Sequence, residues 1–367
     1  MKIVIITTEP SGDYLGFHLL KSLKNIKLTN IKVYGVGGDL MESIGFESWI
    51  KIEKFNTIGI IEVAFRIFKF LKLMRIIKQK INHVRPDFLI TIDSPSLSYR
   101  LARSLQNLRK KKNTKFIHYV APKVWAWKEY RAKIFAKYYD KMATLFNFET
   151  IYFKKYGLET KFIGHSIFFE NENNRSKKKI ISFLPGSREI EIKNNLKTLK
   201  EIIGEINFKL PQFEIYILTF NRFVNSLKNQ LTDCNVSIIS DNETKRRVMM
   251  ESFLAVAASG TVTLELAKFL TPTIVVYKAN FFTQIIIKNL VKVKYASLIN
   301  IYFKKEVIPE FIFESFTCKN VFQEIISLIK NKKKREMQIK YMRLFSKEML
   351  YKKKNPSELF IKEVMDI

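Results

Sequence analysis

The chain has 367 residues, 47% of them apolar and 13% aromatic, which suits a folded protein of two ordinary domains and excludes a disordered chain. Its two cysteines, Cys234 and Cys318, lie in separate segments, which excludes a disulfide scaffold and a cysteine zinc site and fits a reducing compartment. With 64 Lys and Arg against 34 Asp and Glu, the formal charge of +30 favours nucleic acid or an anionic membrane surface, although AT-rich codons supplying Lys, Asn, Ile and Phe would also produce it.

In chain order, strand-like runs are expected at 2–7, 31–36, 88–92, 115–120, 141–146 and 161–163, with helical patterns between most of them. That alternation predicts a mainly parallel sheet covered on both faces. The opening run is too short for the core of a signal peptide, and no uncharged apolar run reaches the ~18 residues of a spanning helix. The expected place is therefore the cytoplasm or the cytoplasmic side of a membrane. From 58 to 81 a dense apolar helix carries Arg66, Lys69, Lys72, Arg75 and Lys78 at steps of three. Such a step falls ~60° short of a full turn, so the charges spiral. An interfacial helix tolerates that, because long basic side chains snorkel to headgroups; a half-buried domain helix with a drifting polar stripe is the other reading. The membrane-facing residues are then Phe65, Arg66, Phe68, Lys69, Phe70 and Lys72.

The polar stretch 169–179 reads as a linker. Strand-like runs restart at 180–184, 214–218, 236–240, 253–257 and 273–277, and past Cys318 the pattern is helical. The expected fold is α/β, with two doubly wound Rossmann-like domains facing a cleft. The domains are 1–170 and 171–330, with 331–367 as helices packing back across them.

Two turns follow strands in the second half: Pro185-Gly186-Ser187-Arg188 and Ala258-Ser259-Gly260-Thr261. Each aims backbone N–H groups, a hydroxyl and the positive end of a helix at one spot, and Arg188 adds a guanidinium fork suited to phosphate. One such turn alone is as well explained by a capping serine; the pair suggests a nucleotide diphosphate. The first strand ends in Glu9-Pro10-Ser11-Gly12-Asp13, which lacks the G-x-G-x-x-G spacing of a dinucleotide site, and Ser11 or Asp13 could be plain N-caps. Asp93, at the tip of strand 88–92, suits a general base or an N-cap before Pro95. In the segment 118–127 the neutral expectation is packing for Trp125 and Trp127 and a structural His118.

These segments, with Phe162-Ile163-Gly164-His165, Val262-Thr263-Leu264-Glu265 and Tyr295-Ala296-Ser297-Leu298-Ile299-Asn300, resemble lipid-A-disaccharide synthases, glycosyltransferases of the two-domain GT-B kind. The resemblance spans nearly the whole chain. It implies inverting transfer of 2,3-diacylglucosamine from its UDP derivative to the 6-hydroxyl of 2,3-diacylglucosamine 1-phosphate, giving a β-1,6 disaccharide and UDP. It makes Asp93 the general base and Arg188 the group that neutralises the departing diphosphate. Donor-binding positions are Gly186, Ser187, Arg188, Ser259, Gly260, Thr261, Glu265, Asn300 and Glu310; acceptor-binding positions are Ser11, Gly12, Asp13 and Trp125. Glu265 falls where ribose hydroxyls are held, although a glutamate near a helix start is also ordinary. No metal or cofactor is implied. The partners implied are the two acylated sugars and the cytoplasmic face of a Gram-negative inner membrane; a homodimer is allowed and nucleic acid is not expected.

The chain departs from the family pattern in places. Ser96-Leu97 replaces Asp-Phe in I-D-x-P-D-F, Phe313 replaces the glutamine of P-E-x-x-Q, and Ile299 replaces a proline. Another GT-B transferase acting on a lipid-linked sugar, a UDP-sugar epimerase and a basic nucleic-acid-binding module stay as alternatives. Against the last, no aromatic-interleaved basic groove is legible.

Overall fold

A computed structural model describes residues 1–26, 30–56, 63–169, 175–278, 284 and 293–367, with the backbone alone at 56 and 63–67. The chain forms two compact units: Met1–Phe169 with Met349–Ile367, and Glu170–Glu348.

The N-terminal unit holds six parallel strands, β1 (Lys2–Ile6), β2 (Lys32–Val36), β3 (Phe88–Ile92), β4 (Lys115–Tyr119), β5 (Lys141–Thr144) and β6 (Glu159–Phe162). Their order is β2-β1-β3-β4-β5-β6. Ile3, Val4, Ile5 and Ile6 are all buried, because a parallel sheet flanked by helices buries both faces of its central strands. The helix Val63–Val84 packs Leu73, Ile77 and Ile81 into this core at a spacing of four, so its C-terminal two-thirds is an ordinary core helix and not a helix ringed by charge. Phe70, expected to face a membrane, instead packs against the core, beneath the Arg100 guanidinium at 5.9 Å. Phe68, Lys69, Leu71 and Lys72 are exposed, and the side chains of Phe65 and Arg66 lie outside the described residues.

The C-terminal unit holds β7 (Ile180–Leu184), β8 (Glu214–Leu218), β9 (Ser237–Ile239), β10 (Leu254–Ala258), β11 (Thr273–Tyr277) and β12 (Glu310–Ile312), all parallel, in the order β12-β11-β10-β7-β8-β9. The three-residue β12 was not foreseen, since it is too short to show a period. The linker charges are structural: Lys178 and Arg175 pair with Glu251, and Lys177 donates to Met250 O, Phe269 O and Thr271. Residues 170–174 of that stretch are outside the described set. The helix Lys332–Met349 belongs to this unit, with Met342 and Phe345 fully buried and Gln338 accepting from Thr273 N–H. The chain returns to the N-terminal unit only at Met349, later than the boundary at 330 expected from sequence. There Phe360 stacks on Tyr119 at 4.8 Å.

In each sheet the chain changes direction once, leaving β1 beside β3 and β7 beside β10. At such a switch point the connections diverge to opposite faces and open a crevice at the carboxyl ends of the strands, where ligands bind in open α/β sheets.

Candidate functional site

The N-terminal switch point joins the turn after β1 to the turn after β3. Asp93 and Ser94 both have left-handed backbones, with φ of 55° and 46°. Two such non-glycine residues in a row cost roughly 1–3 kcal/mol each and persist only where their surroundings enforce them. Here Asp93 N–H donates to Tyr119 O at 2.9 Å, Ser98 Oγ donates to Asp93 O at 2.8 Å, and Ser94 N–H donates to Asp93 Oδ1 at 2.9 Å. Ser11 Oγ reaches Asp93 Oδ2 at 3.0 Å. Ser94 Oγ donates to Glu9 Oε1 and bonds Thr8 Oγ1, both at 2.8 Å. The result is a half-buried carboxylate held in a fixed direction, able to take a proton from a hydroxyl. Glu9, Thr8 and Ser94 were not singled out from sequence, although their place beside the switch strands would have marked them.

Two acceptor-side expectations need correction. Asp13 is buried and accepts from the N–H groups of Gly38 (2.8 Å), Leu40 (3.0 Å) and Met41 (3.2 Å), so its carboxylate caps the short helix Asp39–Glu42. Trp125 is 8% exposed, and its indole N–H donates to the buried Glu149 at 3.1 Å. Burial pushes Glu149 up to about 7, against the hydrogen bonds from Trp125 and Phe146 that favour its ionised form. Gly12 serves close packing: a Cβ there would lie 2.1 Å from Thr7 Oγ1 and 3.3 Å from Ile92 O. His118 is fully buried, bonded to Thr91 at 2.8 Å, and burial drives it down to about 3, so it is neutral.

At the C-terminal switch point β7 runs into Pro185-Gly186-Ser187-Arg188, with Gly186 at φ 134°, a conformation that favours glycine. The amides of Ser187 and Arg188, expected to be open to phosphate, are instead taken by Glu191 Oε2 at 3.0 and 3.3 Å. The Arg188 guanidinium is 75% exposed and lies 3.7 Å from Glu191. Asn195, fully buried, donates to Pro185 O at 2.9 Å and accepts from Lys278 N–H at 3.1 Å, tying the turn to the end of β11. Arg222 donates to Ser187 O at 2.8 Å, bringing a second guanidinium beside the turn. An asparagine on the apolar stripe of Ile192, Leu196 and Leu199 was the signal for Asn195.

After β10, Gly260 and Thr261 are exposed, and a Cβ on Gly260 would meet nothing within 4 Å. Glu265 is half-buried and close enough to Lys245 to act on its charge. Three expected donor contacts turn inward instead. The Ser259 hydroxyl donates to Ala296 O at 2.9 Å. Asn300, fully buried, accepts from Val307 and Ile308 N–H at 2.8 and 2.9 Å and donates to Ile308 O and Glu310 Oε1, both at 2.7 Å. Glu310 also accepts from Ala296 and Ser297 N–H at 2.7 and 2.8 Å, while burial raises its pKa. These side chains have their hydrogen-bonding capacity committed to the loop beside Ser259. Phe313, in a left-handed conformation at φ 58°, packs against the Tyr277 ring at 6.1 Å.

Among the described residues, no group of three or more His, Cys, Asp or Glu is placed to hold a metal ion, and no helix is long and apolar enough to cross a membrane.

The chain matches the family described as lipid-A-disaccharide synthetase over residues 3–364. A lipid-A-disaccharide synthase of Rickettsia prowazekii is 36% identical over 354 residues, covering 92% of this chain and 91% of that protein. One of Hydrogenovibrio crunogenus is 31% identical over 370 residues, covering 97% and 96%. Among solved structures, the UDP-GlcNAc 2-epimerase of Neisseria meningitidis bound to UDP-GlcNAc superposes with a TM-score of 0.66 at 12% identity over the whole of both chains. MurG of Acinetobacter baumannii gives 0.54 at 11% identity over 93% and 94%. At such identities the likeness is one of fold, two Rossmann-like domains of the GT-B kind. With a family match over nearly its full length and relatives at 31–36% identity, the chain belongs to the lipid-A-disaccharide synthetase family of glycosyltransferases.

Proposed function

We propose that the protein transfers 2,3-diacylglucosamine from UDP-2,3-diacylglucosamine to the 6-hydroxyl of 2,3-diacylglucosamine 1-phosphate, with inversion. The acceptor oxygen forms a bond to the donor's anomeric carbon as the bond from that carbon to the diphosphate oxygen breaks. Its proton passes to Asp93, and the electron pair leaves with UDP. The observation that carries this reading is the Asp93–Ser94 turn. A carboxylate in a strained backbone, steadied by Ser11 and Ser94 N–H at the switch point, is arranged for proton abstraction rather than for packing.

Arg188, largely exposed, meets the charge that grows on the leaving diphosphate. Gly260 and Thr261 lend backbone dipoles, and Glu265 holds the ribose hydroxyls. Ser11 orients the base, while Asn300, Glu310 and Ser259 shape the donor loop without touching the nucleotide.

The exposed Phe68, Lys69, Leu71 and Lys72 dock the protein on the cytoplasmic face of the inner membrane of a Gram-negative bacterium. Changing Lys69 and Lys72 to Glu should then release it from anionic vesicles with UDP binding intact; unchanged vesicle binding would refute that surface.

The transferase reading is tested by UDP release from the donor with and without acceptor, in the wild type and in Asp93→Asn. Release that needs acceptor and falls by two orders of magnitude or more in Asp93→Asn is expected, as roughly 10²–10⁴-fold is typical of one general base. Release without acceptor points instead to an epimerase or hydrolase.

A further inference from the structure

The loop after β4 carries an exposed ring and two cations that none of these roles uses. Trp127 is 36% exposed and Tyr130 59% exposed. Lys128 Nζ lies 4.0 Å from the centroid of the Trp127 ring, and the Arg131 guanidinium lies 5.7 Å from it. The strand β4 adjoins β3, and Asp93 N–H bonds the carbonyl of Tyr119, the last residue of β4, so this loop opens beside the base. Arg131 Nη2 also reaches Ser96 Oγ at 3.5 Å, and Ser96 stands in the first turn of the helix that follows Asp93.

Among the described residues no carboxylate pairs with Lys128 or Arg131, and Glu129, the acid between them in sequence, pairs with Lys155. Both cations border one indole, so an anion bound beside that ring meets two positive charges. An arginine fork with a lysine point charge is a donor set suited to a phosphate monoester. Ser96 follows Asp93 by three residues, across the left-handed turn at Asp93 and Ser94, so Arg131 is anchored to the segment that carries the base.

We propose that Arg131 and Lys128 hold the acceptor's 1-phosphate while Trp127 supports the sugar face, a specificity site that rests on the transferase reading above. The test is the double variant Arg131→Gln with Lys128→Gln, assayed with 2,3-diacylglucosamine 1-phosphate and with the same acceptor lacking its phosphate. The wild type should prefer the phosphorylated acceptor in kcat/KM by about 10- to 100-fold, the range of one or two charge-assisted hydrogen bonds. The variant should lose most of that preference with its donor KM unchanged, and Arg131→Lys with Lys128 intact should recover part of it. A variant that keeps the wild-type preference overturns the proposal. A raised donor KM with an unchanged acceptor KM also overturns it and assigns the cations to the donor's diphosphate. Equilibrium binding of the two acceptor forms in detergent micelles needs no turnover. It therefore decides the proposal even if UDP release proves independent of acceptor, the result that would sink the transferase reading alone.

Discussion

Asn300→Ala separates a brace from a substrate contact. Asn300 is fully buried, and its amide makes four hydrogen bonds, to the N–H groups of Val307 and Ile308, to Ile308 O and to Glu310. Alanine strands the two N–H groups and one carbonyl and takes one of the three donors from the half-buried Glu310 carboxylate. At about 1–3 kcal/mol for each stranded buried group, the loss is roughly 3–9 kcal/mol, comparable with the ~5–15 kcal/mol that holds a whole domain folded. The three tryptophans, Trp49, Trp125 and Trp127, all lie in the N-terminal unit, so their fluorescence reports that unit alone. Urea unfolding followed by circular dichroism, with hydrogen exchange over 296–312, should show the C-terminal unit opening at much lower denaturant. The fluorescence transition should barely move. Wild-type exchange and an unshifted unfolding midpoint, together with lost UDP affinity, would refute the reasoning and make Asn300 a nucleotide contact.

Three further outcomes are expected. Because Glu149 has a folded pKa of about 7 against an ordinary 4.5, the folded state binds its proton more tightly, and the group's contribution to stability declines as pH rises through that window. At about 1.4 kcal/mol per unit, wild type should lose about 3 kcal/mol relative to Glu149→Gln between pH 4.5 and 7; a difference that stays flat from pH 5 to 8 rules this out. Gly12→Ala drives a methyl group against Thr7 Oγ1 and Ile92 O, which should cost about 1–3 kcal/mol in thermal unfolding and lower kcat by moving Ser11 off Asp93; wild-type values for both would contradict the packing role. Glu191→Gln removes the negative charge beside Arg188, and UDP affinity by calorimetry should rise about two- to fivefold, the range of an exposed ion pair; a fall would mean that Glu191 serves only as a brace.

Much of the fold was legible because parallel strands buried on both faces read as continuous apolar runs. The expected 88–92, 180–184, 214–218 and 273–277 coincide with β3, β7, β8 and β11. What escaped was set by packing partners. The helix Lys332–Met349 carries a basic, weakly patterned sequence, and nothing in it indicates that Met342 and Phe345 pack within the C-terminal unit. The even spacing of charges after Phe65 suggested a helix without a buried side, whereas Leu73, Ile77 and Ile81 form one at intervals of four.

For the site, the turns were legible and the directions of their side chains were not. Composition near a switch point shows which polar groups are close to a crevice, but a buried polar group must satisfy itself, and it does so with whatever backbone is nearest. Asp13, Trp125, Ser259, Asn300 and Glu310 all sit near the two crevices, and all five turn into the protein. Arg188, Gly260, Thr261 and the Trp127 loop stay exposed, and Asp93 stays half-buried. This division has a physical reason. A reacting group must stay accessible, so its position has to be enforced by neighbours that are not. In the N-terminal unit that task falls to the buried Ser94 and Ser98 around a strained aspartate, with the exposed Ser11 beside them, and in the C-terminal unit to the buried Asn195 beneath Pro185, with the half-buried Glu191 against Arg188. Substitution at Ser94, Ser98 or Asn195 should therefore lower turnover through misplacement, at positions that bury their own polar groups and need touch no substrate.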